Sequence, residues 1–196
     1  MQPKTFILIG RSGCGKGTQA KLLMDYIKSK DPSREIFYME TGARFREFIE
    51  RQSFSGKNAK VINSVGGLQP EFLAVWMWSN MFVENLKGDE NMVIDGTPRK
   101  LHEATVLDSA MDFYKREKPY VLYLNVSRKW SEARLMERHR ADDLPADVKK
   151  RLDWFETDVL PTINYYRDNP KYNFLDINGE GTIEETFKDI IQKIKL

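Results

Sequence analysis

Gly10-Arg11-Ser12-Gly13-Cys14-Gly15-Lys16-Gly17-Thr18 is a glycine-rich turn with a lysine near its end, and its flanks decide what it is. Ahead of it Thr5–Ile9 is a short apolar run that reads as a strand covered on both faces. Behind it Leu22, Leu23 and Ile27 recur at helical spacing. Strand, glycine turn, lysine and helix in that order are the context a phosphate-binding P-loop requires. Gly10, Gly13 and Gly15 let the backbone turn sharply and aim its N–H groups inward at phosphate oxygens. The helix N-terminus adds partial positive charge at the same point. Lys16 is then expected to bridge the β- and γ-phosphates of a bound nucleotide. Cys14, inside the loop with no His or Asp beside it, reads as a small filler and not as a nucleophile.

Outward from the loop, short apolar runs alternate with longer helical segments, the pattern of an α/β protein with a mainly parallel sheet. Strands are expected at Thr5–Ile9, Ile36–Tyr38, Met92–Ile94, Tyr120–Val126 and Asn173–Ile177. In the last helix Ile183, Phe187, Ile190, Ile191 and Ile194 share one face, with Thr182 and Glu185 spaced as a capping box. Residues 41–86 are too long for one crossover helix, and Ser53–Gly56 and Gly66–Pro70 break them into two or three helical pieces. An insertion there is a candidate substrate-binding subdomain. Trp76, Trp78, Trp130 and Trp154 all fall in helical stretches and read as packing residues.

The bulk properties exclude several classes. The chain has 196 residues, enough for one domain with small insertions, and 41% hydrophobic residues, enough for a sizeable core. Thirty-one Lys and Arg against 29 Asp and Glu leave a formal charge of +2, without the dense basic face of a general nucleic-acid binder. Cys14 is the only cysteine, so there is no internal disulfide and no cysteine-based zinc site. No apolar run approaches the roughly 20 residues that span a bilayer. The glycine turn arrives after nine residues, which leaves no room for a signal peptide, and a cytoplasmic monomer is the default expectation.

The position after Lys16 is Gly17, not the Ser or Thr of the general motif, and the string Gly-Lys-Gly-Thr-Gln resembles the P-loop of adenylate kinases and related nucleoside monophosphate kinases. The resemblance extends over almost the whole chain. Thr41-Gly42, four residues before Arg46, resembles the family element that holds the monophosphate. Asp95-Gly96-Thr97-Pro98-Arg99 resembles the family's Asp-Gly-Phe-Pro-Arg, with Thr97 in place of Phe, and Gly67-Leu68-Gln69 the stretch bordering the acceptor adenine. Arg134-Leu135-Met136-Glu137-Arg138-His139-Arg140-Ala141-Asp142-Asp143 and Arg151 resemble the region that carries the lid. Only His139 separates Arg138 from Arg140, so the lid, residues 137–145, is a minimal one without zinc. Gly181, after the last strand, resembles part of the turn that receives the ATP adenine.

The resemblance implies a doubly wound five-stranded parallel sheet, order 2-3-1-4-5, a monophosphate-binding insertion at 41–70, and reversible magnesium-dependent phosphoryl transfer from ATP to AMP. Gly13, Cys14, Gly15, Lys16, Gly17, Thr18, Arg134 and Gly181 would bind ATP. Thr41, Gly42, Arg46, Gln69, Gly96, Arg99, Glu103, Arg140 and Arg151 would bind AMP. Lys16, Arg99, Arg134, Arg138, Arg140 and Arg151 would clamp the transferring group, with Asp142 and Asp143 orienting the arginines and Asp95 ordering Mg2+ through water. Taken singly, Arg46 or Arg99 reads better as a solvated surface arginine, and the lid arginines also read as a charged helix turn laced with surface ion pairs. Jointly, at these positions, the functional reading is favoured. Glu103 stands where many adenylate kinases carry a Gln that reads N1 and N6 of adenine. An ionised carboxylate accepts from N6–H but cannot donate to N1, and taken alone it suits guanine better. The alternatives to AMP are therefore GMP, UMP or CMP as acceptor, or a nucleotide-binding homologue without turnover.

Overall fold

The computed structural model describes residues 2–138 and 144–194. Five strands, β1 (Thr5–Gly10), β2 (Ile36–Glu40), β3 (Asn91–Asp95), β4 (Tyr120–Asn125) and β5 (Asn173–Asn178), form one parallel sheet in the order β2-β3-β1-β4-β5. This is the expected order. Parallel neighbours need crossovers, and the helices supply them on both faces: α1 (Lys16–Lys30), α2 (Thr41–Ile49), α3 (Phe54–Asn63), α4 (Glu71–Asn85), α5 (Leu101–Phe113), α6 (Arg128–Arg138), α7 (Pro145–Trp154), α8 (Leu160–Asp168) and α9 (Ile183–Ile194). A π-helical turn, Phe155–Val159, joins α7 to α8. No helix among the described residues is long and apolar enough to cross a membrane.

Alternation along the strands divides the core in two. On one face Ile7, Ile9, Ile94 and Val121 pack with Trp78 and Phe82 of α4, Leu107 of α5 and Tyr166 of α8. On the other, Phe6, Leu8, Val93, Leu122 and Ile177 pack with Leu23 and Ile27 of α1 and Ile190 and Ile194 of α9. Fully burying one such side chain is worth about 1.5–3 kcal/mol, so the two clusters hold the sheet as a rigid platform. A third cluster, Phe45, Phe48, Ala59, Leu73, Ala74 and Met77, ties α2, α3 and α4 together. Ser53 starts α3 by accepting a hydrogen bond from Gly56 N at 3.0 Å, so Phe54–Gly56 belong to the helix and the break precedes them. The capping box at α9 forms: Glu185 N donates to Thr182 Oγ1 (3.1 Å) and Thr182 N to Glu185 Oε2 (2.8 Å).

Four strands run past their expected C-terminal ends, to Gly10, Glu40, Asp95 and Asn178, while β4 stops one residue short of Val126. Of these last residues Glu40 and Asp95 line a cleft at the carboxyl edge of the sheet. That edge is where open α/β sheets place their ligands.

Candidate active site

A cavity of about 960 Å³ opens along the carboxyl edge, lined by the β1–α1 loop, the end of β3, the α2–α4 segment, α6, α7 and the turn before α9. At its centre Gly15 is the N-cap of α1 with φ +93°, a left-handed conformation that glycine adopts without strain, and a Cβ there would meet nothing within 4 Å. The loop therefore presents open backbone at the positive end of a 15-residue helix. Lys16 Nζ donates to Gly10 O (3.0 Å) and Arg11 O (2.9 Å), which curls the lysine over its own loop. Cys14 is buried, and burial pushes its thiol pKa up, with Lys16 3.5 Å from the sulfur pulling the other way. Gly13, Gly17 and Thr18 also line the cavity.

Asp95 ends β3 as a buried carboxylate. Burial pushes its pKa up; Lys16 pulls it down, Glu40 pushes it up, and Arg99 pulls it down again. Tyr38 donates a long hydrogen bond to Asp95 Oδ2, 3.4 Å. A Cβ on Gly17 would stand 3.6 Å from Asp95 Oδ2, so the residue after the lysine lies against this carboxylate. Opposite, Arg99 is fixed at several points. Its Nε donates to Gly96 O (3.0 Å), its carbonyl accepts from Thr162 Oγ1 (3.0 Å), and its guanidinium lies 5.4 Å from the ring centre of Trp154. Burial lowers the Arg99 pKa, Glu103 and Asp95 raise it, and the cations Arg151 and Arg46 lower it. Those neighbours establish that Arg46, Arg99 and Arg151 converge. Arg46 pairs with Glu40 at 2.8 Å.

Further arginines lie along α6 and α7. Arg134 stacks 5.0 Å from the ring centre of Trp130 and lies 4.0 Å from Glu137, and Arg138 and Arg151 line the same cavity. Gly181 lines the far end beside Thr182 and Ile183. Arg140, His139, Asp142 and Asp143, and with them most of the expected lid, lie outside the described residues.

Two expected acceptor-side residues are not among those lining the cavity. Thr41 is buried at the start of α2, and Glu103 is buried with Oε2 accepting from Arg99 N at 2.8 Å. Gly42, Gln69 and Gly96 do line it; Gln69 Nε2 donates to Ala59 O at 2.9 Å. The packing reading of the tryptophans holds for Trp78, in the core, and in part for Trp130 and Trp154, which pack against the core clusters and also line the cleft, each under an arginine. Trp154 Nε1 also donates to Gly66 O (3.2 Å), joining α7 to the segment between α3 and α4. Residues the sequence reasoning passed over include Tyr38, Glu40 and Trp154. For Glu40 the signal was present, since it immediately precedes Thr41-Gly42 at a strand's end.

The site thus has a cradle of open backbone amides with a lysine, facing a second group of arginines across a buried carboxylate. A family model described as adenylate kinase matches residues 8–171, from the second half of β1 through α8. The chain belongs to the adenylate kinase family. A protein of Bacteroides fragilis named adenylate kinase is 30% identical, over 96% of this chain and 96% of its own length. One of Oenococcus oeni with the same name is 28% identical, over 92% of this chain and 93% of its own. Adenylate kinase 1 of a Nostoc species is 29% identical, over 94% and 95%. Among the described residues no group of three or more His, Cys, Asp or Glu could hold a metal ion.

Proposed function

We propose that this protein transfers the terminal phosphoryl group of ATP to AMP, giving two ADP. The observation that carries the reading is that Lys16 and Arg99, the principal cations of two separate anion sites, line one cavity of about 960 Å³. The β1–α1 loop amides and Lys16 hold the β- and γ-phosphates, Lys16 exchanging its two loop carbonyls for phosphate oxygens. Arg46 and Arg99 hold the phosphate of AMP by planar, two-pronged hydrogen bonds. An AMP oxygen attacks the γ-phosphorus in line, the bond to the β–γ bridging oxygen breaks, and ADP departs on the donor side. The attacking oxygen is already anionic, so no residue has to act as a base. Catalysis is positioning plus charge stabilisation by Lys16, Arg99, Arg134, Arg138 and Arg151, with Arg140 completing the set.

The residues fit a magnesium ion held with the nucleotide. Asp95 offers one hard oxygen donor beside Gly17, and a site with a single carboxylate suits a cation that keeps its waters and takes its other ligands from phosphate. Magnesium, when bound, neutralises phosphate charge; Asp95 orients its water shell. Residues 41–70 act as the acceptor-binding insertion and 137–145 as the lid. The protein is taken as a monomer, and a buried free thiol with these substrates suits the cytoplasm.

A coupled assay of ATP with AMP, GMP, UMP and CMP in turn tests the reading. AMP is expected to be the best acceptor by at least an order of magnitude in kcat/KM. A larger value for another monophosphate overturns the choice of AMP, and ATP binding without transfer to any of them overturns the enzyme reading.

A further inference from the structure

Glu103 stands four residues after Arg99, where a side chain reaching the acceptor base was expected. Its carboxylate is engaged elsewhere. It is the third residue of α5, whose N-cap, Lys100, makes no side-chain capping bond. Glu103 reaches back over that turn to take Arg99 N–H on Oε2 at 2.8 Å, one residue ahead of the N-cap amide that a capping box would bind. The side chain is 1% exposed and does not line the cavity. A carboxylate at a helix N-terminus is also favoured by the helix dipole.

The geometry points to Glu103 as a positioning residue that sets the phosphate grip of Arg99 and takes no part in reading the base. The segment Gly96–Lys100 carries Arg99 to the cleft, and three bonds fix it. Glu103 holds the Arg99 amide, Thr162 Oγ1 its carbonyl, and Gly96 O its Nε. The negative charge of Glu103 also supports the guanidinium, offsetting part of what burial costs it. Losing the carboxylate frees the amide end of this three-point mount, and the guanidinium then samples positions off the line of attack. Because every monophosphate presents the same phosphate to Arg99, the loss falls equally on all of them. This inference rests on the adenylate kinase reading of the cleft.

The test compares Glu103→Gln, which keeps an acceptor for Arg99 N–H, with Glu103→Ala, which keeps none. Dissociation constants for AMP and GMP are read from tryptophan fluorescence, and kcat and KM from the coupled assay. In Glu103→Ala, KM and the dissociation constant for AMP are expected to rise about 10-fold or more, with KM for ATP unmoved. Glu103→Gln is expected to recover most of that loss. In both variants the AMP-to-GMP affinity ratio should stay within about twofold of the parent. A tenfold shift of that ratio in Glu103→Gln overturns the proposal, because it assigns base reading to this position. Unchanged AMP affinity in Glu103→Ala overturns it equally. Should the alanine variant not fold, the Arg99→Ala background decides: Glu103→Gln should have no further effect there, and a persisting effect overturns the proposal. The binding measurements hold whether or not turnover is seen, so absence of transfer in the parent protein would count against the enzyme reading alone.

Discussion

Asp95 is retained at a cost to the fold. It is a buried carboxylate whose pKa is pushed up, first by burial, with Lys16 the main opposing influence. A carboxyl pKa raised in the folded state means that the folded chain binds more protons than the unfolded chain just above the ordinary carboxylate value of 3.8. Stability therefore falls as pH rises through the folded pKa and stays lowered at neutrality. Asp95→Asn removes the charge without changing the shape, and is expected to raise the thermal midpoint at pH 7 while lowering kcat about 100-fold or more. The gain in stability should disappear on acidification below the ordinary carboxylate range, where the parent carboxyl is protonated in both states. Calorimetry of both proteins at pH 7 and pH 3.5, beside the coupled assay, checks this; a lower midpoint at pH 7 would show that the attraction of Lys16 outweighs burial. At this scale the sequence was uneven. Lys16, Asp95 and Arg99 were legible because each is fixed to a strand's end by neighbouring glycine or proline. The backbone partner of Glu103 was not, since a spacing of four residues gives a helical face but not that the carboxylate meets the Arg99 amide. The packing reading of Trp130 and Trp154 holds in part, but helical placement is silent about whether an indole's other face meets a guanidinium.

The elements were more legible, and the reason is burial. The central strands β1, β3 and β4 are covered on both faces by the two core clusters and carry near-continuous apolar runs, while the edge strands β2 and β5 are only partly buried. Most of the errors lie at the carboxyl ends, where Gly10, Glu40, Asp95 and Asn178 continue the hydrogen-bond ladder beyond the apolar runs. The α2–α4 segment was legible as helices, because Ser53 announces α3 and Pro70 precedes α4. The π-helical turn at Phe155–Val159 left no sequence signal. It lies where Arg11 of the glycine loop crosses over, its guanidinium 4.0 Å from the Phe155 ring centre and paired with Glu156 at 2.6 Å. The α9 capping box allows a direct test of an element. Thr182→Ala removes the acceptor for Glu185 N, and should cost about 1 kcal/mol. For a chain of this size that lowers the thermal midpoint by about 2–4 °C. A melt unchanged within error would mean that packing of Ile190 and Ile194 alone holds the helix start.

At the scale of the whole molecule, charge and shape combine. The net charge is only +2, yet Lys16, Arg46, Arg99, Arg134, Arg138 and Arg151 line one cavity. The surplus of positive charge is local, and its site is shaped for polyphosphate. The two ends of the cleft are also mechanically joined. Trp154 of α7 stacks on Arg99 and bonds Gly66 O, and a Cβ on Gly66 would fall 2.7 Å from Asp147 Cα, also on α7. Gly66 has φ +64°, so glycine is what allows that close approach. A helix carrying Arg151 therefore rests directly on the acceptor side, and the two anion sites are parts of one compartment. Two adenosines joined through five phosphates should then bind one per chain, compete with both ATP and AMP, and alter the fluorescence of Trp154. At 1,000 times its dissociation constant such a ligand adds about 4 kcal/mol of stability, and the thermal midpoint should rise by about 8–16 °C. Isothermal titration for stoichiometry, with inhibition measured against each substrate, checks the expectation. Two molecules bound per chain, or competition with one substrate alone, would mean that the lysine loop and the arginine group act as separate sites, and direct transfer between them would fail.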